Sequence, residues 1–342
     1  MTTLAEYKYL GAAQEVRMGV GLTLVEVSPW LRDLPFVELT SNNVSRYKME
    51  TSDGGASVHD VDDGWSTLNP TWEFREASLA ILGDNIQVDE FGELSSGPES
   101  AMAVAIMLKA KGIGQTYDKL AVYGQTTSTG SLADSKNFKG LLRLIAETES
   151  STTTDLDGWL FSGDSTSANN KQVLMAASGA SAALTIKMVR ALVDAVRPFP
   201  THLIMSRLTR QKLETLAEAA GNNLIVREEK LGQIVTMFGE QKVVIDDQIK
   251  NNMDDSTALV TAIASYNYEQ AIAGGSDTSP IFAARFAEDG LCGINGVGMT
   301  QIQDLGILQG ADAKGKRLKF YCGMRLTNKR AAAVLMNVNP SS

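Results

Sequence analysis

The sequence has few of the residues on which most enzymatic and metal sites depend. It contains two cysteines and two histidines among 342 residues. Cys292 and Cys322 are too few for a disulfide framework and lack the paired spacing of a zinc site. His59 and His202 have no second histidine and no cysteine at ligand spacing. The composition therefore favours a reducing compartment, structural histidines and buried, inert thiols, and we expect neither a metal nor a cofactor.

The glycine-rich and acidic motifs of the chain are incomplete. Gly293–Gly298 precedes a strand-like segment and has no following Lys-Ser/Thr, so it does not form a phosphate-binding loop. Residues 60–64 resemble part of a calcium loop, but the glycine is out of register and the closing Glu is missing. Asp246-Asp247 follows a strand-like run, where paired acids are usually turn residues. We predict no catalytic residue and expect that the chain is not an enzyme.

Long apolar runs are also missing. No window reaches the roughly 18 consecutive apolar residues that a membrane helix needs. Charged residues occur from Glu6 onward, without the apolar stretch of a signal peptide. The composition, 44% hydrophobic and 21% charged, is that of a folded globular protein. We therefore expect a soluble protein that makes no membrane contact.

Basic residues are scarce in one part of the chain and acidic residues in another. Residues 51–93 carry ten Asp or Glu and the single cation Arg75, whereas residues 313–342 carry seven Lys or Arg and no acid. The acidic stretch alone accounts for the formal net charge of −9. An isoelectric point near 4.9 argues against a nucleic-acid-binding surface, because phosphate binding depends on Lys and Arg. The two stretches can meet within one chain or between two copies, and the rest of the sequence favours the second arrangement.

The first 35 residues contain apolar side chains, such as Tyr7, Tyr9 and Trp30, but no period from which a core could form. We predict an arm that lies on another surface; the alternative is an irregular strand on the chain's own domain. The next segment is extended, and Asp53-Gly54-Gly55 between two apolar runs predicts a two-residue hairpin turn. Since an isolated hairpin is only marginally stable in water, this acidic hairpin needs an external partner.

A long helix follows the hairpin. Ser96-Gly97-Pro98-Glu99 has the residues of a helix start, with a cap, a proline in the first turn and an acid near the positive end of the dipole. We predict a helix from about Pro98 to Ala121. Gly112 and Gly114 interrupt its apolar body and indicate either a kink or a premature end.

The second half of the chain combines helical and strand patterns. Apolar residues at helical spacing before Pro198 and before Gly221 lie on either side of a buried strand at His202–Met205. They predict a small sheet flanked by helices. Residues 318–327 then alternate strictly between apolar side chains and a set that is mainly basic or aromatic. They predict a strand with one core face and one basic face.

This order of elements resembles the major capsid protein of tailed bacteriophages, with its Hong Kong 97-type capsid fold. The likeness covers nearly the whole chain. Its specific residues are Leu34-Pro35-Phe36 before the hairpin, Trp65 and Trp72 after it, Asn137-Phe138-Lys139-Gly140-Leu141-Leu142, Leu203-Ile204-Met205-Ser206, Gly239–Asp247 and Lys319-Phe320-Tyr321-Cys322-Gly323.

The resemblance implies an α+β fold with four parts. Its peripheral domain contains a long spine helix, and its axial domain contains a helix-flanked central sheet. The implied bounds are 1–35 for the N-terminal arm, 36–75 for an extended β-hairpin (the E-loop), 76–181 and 298–342 for the peripheral domain, with the spine helix at about 98–121 and late strands at 298–327, and 182–297 for the axial domain.

The resemblance also implies a function. It indicates a structural protein that self-assembles into the hexamers and pentamers of an icosahedral phage head, which encloses double-stranded DNA without sequence-specific binding. The implied location is the virion, after assembly in the host cytoplasm, and the implied partners are further copies of the chain, a portal protein, a scaffold protein and decoration proteins. Because the arm starts at Leu4, we expect a separate scaffold or none, and because Lys48 is the only Lys of the E-loop and lies far from its tip, we expect no covalent crosslinks. The alternatives are an encapsulin-type compartment and a soluble α/β enzyme built on the helix-sheet block.

The candidate functional surface is therefore a contact between subunits. We expect the acidic hairpin of one copy to dock on the basic strand of the next, head to tail, with burial supplying the affinity and charge setting the register. The alternative is that both charged stretches face solvent. The candidate contact residues are Asp53, Asp60, Asp62, Asp63 and Trp65 on the hairpin, Lys316, Arg317, Lys319 and Arg325 on the strand, and Tyr7, Tyr9 and Trp30 in the arm.

Overall fold

A computed structural model of the chain describes most residues from 19 to 341. The described ranges are 19–24, 26–39, 43–52, 56–65, 67, 69, 71–95, 100–124, 136–149, 172–176, 181–219, 225–230, 233–251, 278–307 and 312–341. Three candidate contact residues, Tyr7, Tyr9 and Asp53, lie outside them.

The described residues form a mixed α+β structure. Residues 19–24 and 26–27 are helical, and the helices that follow are α1 (Pro29–Asp33), α2 (Glu90–Ser95), α3 (Ala101–Tyr123), α4 (Leu141–Glu149), α5 (Ile186–Ala195) and α6 (Arg207–Ala219). The strands are β1 (Phe36–Leu39), β2 (Val44–Ser52), β3 (Thr71–Ser78), β4 (Ala80–Asp89), β5 (Val173–Met175), β6 (Ala182–Ala183), β7 (His202–Met205), β8 (Ile225–Lys230), β9 (Gln233–Phe238), β10 (Gln241–Ile245), β11 (Ser279–Ala284), β12 (Leu291–Ile307), β13 (Ala313–Leu326) and β14 (Ala332–Asn339).

The smaller main sheet has the strand order β1-β12-β13-β4. Strand β13 lies in its interior, antiparallel to both β12 and β4. Its alternate residues Leu318, Phe320, Cys322, Met324 and Leu326 are buried in the main core, which confirms the alternation predicted for residues 318–327. Helix α3 packs over this sheet and contributes Met102, Ile106 and Tyr117 to the same core.

The larger sheet has the order β5-β14-β11-β7-β10-β9-β8, with β6 added beside β14. Strand β7 and the flanking helices α5 and α6 confirm the predicted helix-sheet block, because Leu203 and Met205 pack with Val189, Leu192 and Leu213 on one face. The opposite face belongs to the main core.

Strand β14 joins this larger sheet, although residues 298–342 were expected to form one unit with β13. Seven of its eight residues, all but Asn339, are buried. A strand that is apolar on both faces fits the interior of a sheet covered on both sides, and β14 accordingly lies between β5 and β11.

The hairpin is formed by β2 and β3, whose antiparallel register runs from Val44↔Ser78 to Ser52↔Thr71. Residues 53–70 therefore lie between its two strands. The turn predicted at Asp53-Gly54-Gly55 lies outside the described residues, but the prediction that the partner strand follows directly after it is wrong. The described residues 56–65 form no strand, since acidic, small and glycine residues predominate there. The alternation of residues 71–78 supplies the partner strand instead.

Helix α3 begins three residues later than expected, at Ala101, because Ser100 caps it by accepting a hydrogen bond from the Ala103 amide at 3.3 Å. The helix continues through Gly112 and Gly114 to Tyr123, so the premature end is wrong. Gly114 brings the helix close to the N-terminal segment, since a Cβ there would lie 3.5 Å from Val27 and 3.6 Å from Leu24.

Candidate inter-subunit surface

The hairpin has one covered face and one open face. Tyr47, Met49 and Ala77 pack against Ile294 of β12. On the other face of the ribbon, Trp72 is 56% exposed and Phe74 is 66% exposed. The Lys48 ammonium lies over both rings, 5.3 Å and 5.5 Å from their centroids. This is a cation–π arrangement, in which the ammonium group is attracted to the face of each ring. Adjacent exposed aromatic rings are typical of a protein-contact surface.

The connection between the strands carries the acidic residues. Asp60, Asp62 and Asp63 are exposed, and a turn holds them, in which the Asp60 amide donates to Asp63 Oδ2 at 3.1 Å and Asp62 has a φ of 72°. Trp65 is 86% exposed and its ring lies 4.6 Å from that of His59. Val58 and Val61 are also exposed. The segment thus presents acidic and apolar side chains together.

The basic strand does not form a single patch. Because side chains alternate along β13, Lys316 lies on the side of the buried Leu318, next to a cavity that Met102 and Ile106 also line. Arg317 and Lys319 lie on the opposite side. The four candidate cations of β13 therefore do not share one side of the sheet. Lys316 lies on the inner side, and Arg317, Lys319 and Arg325 lie on the side that was predicted to be basic.

Lys316, Arg317 and Lys319 also differ in their partners. Arg317 Nε donates to Asn85 Oδ1 on β4 at 2.7 Å. Among the described residues, Lys316 and Lys319 make no ion pair. Lys319 is half-buried on the outer side of β13, and its ammonium group has no counter-ion among the described residues of the same chain.

Part of the acidic stretch is neutralised within the chain. Lys314 pairs with Glu90 at 3.1 Å, and Lys109 of α3 pairs with Asp84 of β4. The hydrogen bond from Lys109 holds the pKa of the Asp84 carboxyl below its usual value. These two acids are thus paired within the chain, whereas Asp60, Asp62 and Asp63 form no ion pair among the described residues.

Arg325 and Trp30 were expected at a subunit contact, but the structure places both inside the chain. The Arg325 guanidinium donates to Cys292 Sγ at 3.0 Å and to Ser45 Oγ at 3.1 Å, which fixes the base of the hairpin. Trp30 is 1% exposed and its Nε1–H donates to Asp246 Oδ2 at 2.7 Å. An indole that is buried with its N–H satisfied is a core residue, so the arm interpretation of Trp30 is wrong.

The contacts of α1 include two buried carboxyl groups that the sequence interpretation missed. Ser28, the cap of α1, donates to Asp118 Oδ1 of α3, and Asp246 accepts the Trp30 bond. Burial raises the pKa of Asp118 to about 8 and also raises that of Asp246. Asp118 is the one acidic residue of α3 and is flanked on its own face by apolar residues such as Gly114, Ala121 and Val122, which was the signal that could have found it.

The described residues contain no cluster of three His, Cys, Asp or Glu side chains that could hold a metal ion. Burial lowers the pKa of His202 to about 4, and its ring stacks on Phe286 at 4.2 Å. Cys292 and Cys322 are free and buried. Among the described helices, every one is too short or too polar to span a lipid bilayer.

Comparison with known proteins identifies relatives by structure alone. No protein-family model and no curated protein sequence matches the chain. Among solved structures, the SrpI encapsulin of Synechococcus elongatus superposes with a TM-score of 0.62 at 14% identity, over 92% of this chain and 90% of that one. The capsid of an empty GTA particle gives 0.61 at 11% identity, over 91% and 90%. A structure from Mycobacterium phage Ogopogo gives 0.54 at 12% identity, over 90% and 91%.

These matches extend over nearly the full length of each chain, with the two sheets, the long helix and the hairpin all present in this one. At such low identity they establish the fold and not the activity. The chain therefore has the Hong Kong 97-type fold of phage capsid and encapsulin shell proteins, as its sequence resemblance implied.

Proposed function

We propose that the chain is the repeating structural subunit of a closed protein shell. The observation that carries this proposal is the hairpin, which has Trp72 and Phe74 more than half exposed on one face and Trp65 in its connection. A monomer gains nothing from exposing three large aromatic side chains on one ribbon, whereas a neighbouring copy would bury them. The fold, shared with phage, GTA and encapsulin structures, supports this role over an enzymatic one.

The hairpin is the E-loop of this proposal, and its partner is the next subunit of a ring. The acids at residues 60–63 would approach Lys319 and the outer side of β13, in a head-to-tail contact that closes into hexamers and pentamers. Exposed ion pairs contribute only about 0 to 1 kcal/mol each. Burial of Trp65, Trp72 and Phe74 would therefore supply most of the affinity, while the charges select the register.

The shell that we propose is an icosahedral phage head around double-stranded DNA. A net charge of −9 supports this role, because an acidic wall repels DNA and lets it slide during packaging. A portal, a scaffold and decoration proteins would be its partners. We infer the parts of the subunit from the same likeness: arm, E-loop, peripheral domain and axial domain.

An encapsulin compartment is the second candidate. The TM-score against the SrpI encapsulin, 0.62, equals that against the GTA capsid, 0.61, to within 0.01, so the fold favours neither shell. Purified particles distinguish the two functions, since a phage head contains DNA when it is made in its host and a compartment contains protein.

The test of the shell proposal is electron microscopy of the purified full chain. The wild type is expected to give closed particles, and the double variant Trp72→Ser, Phe74→Ser to give folded, unassembled subunits with unchanged circular dichroism. Phe199→Ser is the matched control, because Phe199 is 72% exposed but precedes β7 of the larger sheet. Closed shells from the double variant would overturn the proposed contact, and a wild-type chain that stays monomeric at high concentration would overturn the shell.

A further inference from the structure

The segment Ser28–Asp33, which contains α1 and its cap, contacts parts of the molecule that are far apart in sequence. Ser28 Oγ bonds Asp118 on α3, and Trp30 Nε1 bonds Asp246 directly after β10. Asp33 Oδ1 accepts from Lys242 Nζ on β10 at 2.6 Å. One end of α1 is thus attached to the long helix and the other end to the larger sheet.

We propose that the Ser28–Asp118 and Trp30–Asp246 contacts form a proton-dependent latch, which holds α1 between the long helix and the larger sheet while the Asp118 carboxyl group is protonated. The proposal concerns the subunit itself and does not depend on its assembly into a shell.

The geometry brings two buried acids to one place. Asp118 is 4% exposed and Asp246 is 1% exposed, and both line a single cavity of about 400 Å³. Two carboxylates that share a poorly solvated site disfavour each other's charged form. Each has one neutral donor from the α1 segment, the Ser28 hydroxyl or the Trp30 indole, and such donors also suit the protonated acid.

The charged groups around the cavity do not neutralise the two acids. The nearest cations, Arg32 and Lys242, both bond Asp33, at 3.3 Å and 2.6 Å. Asp247 pairs with Arg207 at 2.9 Å, and Glu26 adds a further negative charge at the rim.

The remaining titratable neighbours are uncharged in the neutral range. Tyr117 lies beside Asp118 in the chain and Tyr123 lies near Asp246; burial raises the pKa of both phenols. His202 faces Asp33 and Lys242, and burial lowers its pKa to about 4. Among the described residues, a carboxylate formed at Asp118 would therefore have no unpaired cation in the cavity to neutralise it.

The sign of the pH effect follows from these surroundings. Burial raises the pKa of Asp118 from 3.8 to about 8, so at neutral pH this carboxyl keeps its proton in the folded chain. Above pH 8 it ionises beside Asp246, and the repulsion and the demand for hydration open the cavity. The latch is therefore closed in acid and loosens in base.

Hydrogen–deuterium exchange of the purified full chain at pH 6 and pH 9, corrected for intrinsic exchange rates, tests the latch. The amides of Arg32 and Leu34 report on α1, because they bond Ser28 O and Trp30 O at 3.2 Å and 2.9 Å. We expect their protection to fall at least tenfold at pH 9, while that of β14 stays constant. Asp118→Asn, a neutral isostere, should keep α1 protected at both pH values, and Ser28→Ala should lower its protection at both.

Asp247→Asn is the matched control, since this exposed acid lines the same cavity and its variant should behave as the wild type. Equal protection of α1 at both pH values in the wild type, or an unchanged pH response in Asp118→Asn, would overturn the latch. If the variants do not fold, infrared difference spectra of the wild type decide the question. Loss of a protonated carboxylic acid band between pH 6 and pH 9 supports the latch, and its absence at pH 6 contradicts it.

Discussion

Replacing Trp30 distinguishes two roles for this residue. As a core residue it stabilises a single subunit, whereas as an arm residue it would stabilise only the contact with a neighbouring subunit. Trp30 is 1% exposed within a single chain, packs against Phe286 with ring centroids 5.8 Å apart and donates to Asp246. Trp→Ala at a buried site costs roughly 3 to 5 kcal/mol through lost burial and the cavity left behind. Trp30→Phe keeps most of the ring but leaves Asp246 Oδ2 without its donor, which costs roughly 1 to 3 kcal/mol.

The assay is urea unfolding of the unassembled subunit, followed by circular dichroism at two protein concentrations. Trp30→Ala should lower the free energy of unfolding by the amount above, and the loss should not depend on concentration. Trp65→Ala is the control, because an 86% exposed ring contributes less than about 0.5 kcal/mol to the stability of a subunit. If Trp30→Ala leaves the subunit unchanged and only weakens assembled particles, Trp30 belongs to an intersubunit arm and the core placement is refuted.

Three further predictions concern charge, pH and the long helix. Burial raises the pKa of Asp118 from its ordinary value of 3.8 to about 8, so the unfolded chain holds fewer protons than the folded chain between these values. Urea titrations should therefore show stability falling from pH 4 to 8 and levelling above; Asp118→Asn should remove most of this slope. Exchanging Arg317 and Lys319 for Glu should abolish particles in electron micrographs but leave the circular dichroism of the subunit unchanged, and normal particles would contradict the docking of the hairpin. Gly112→Ala should raise the urea midpoint, by about 0.5 to 1 kcal/mol in stability, because no atom lies within 4 Å of the added Cβ; a lower midpoint would show that the helix needs its glycine.

Local sequence patterns predicted the helices and strands in which apolar residues repeat at a single spacing, that of a strand or that of a helix. The alternation at residues 318–327 and the helical spacing around His202–Met205 each lead to one solution, because a shift by one residue would expose the apolar face. The order of these elements was enough to indicate the capsid fold. The long helix was also predictable, apart from its first turn, because Ser100 caps the helix and it therefore begins at Ala101.

Long-range pairing was not predictable from the same patterns. Asp53-Gly54-Gly55 has the residues of a tight turn, but residues 56–65, which follow it, are too polar to form the partner strand. Thr71–Ser78 pairs with β2 instead. Trp30 was placed in an arm because its partners, Asp246 and Phe286, are more than 200 residues away in sequence. By contrast, Lys316 lies two residues from the buried Leu318, so alternation alone would have separated it from Arg317 and Lys319.

The position of β14 has a consequence for biosynthesis. Because this strand lies between β5 and β11, the facing edges of β5 and β11 stay unpaired until residues 332–339 have been made. Contacts between segments so distant in sequence form late, since loop closure must precede them. The larger sheet is therefore completed only after its last strand has left the ribosome, so a nascent chain that lacks this strand cannot hold β5 beside β11.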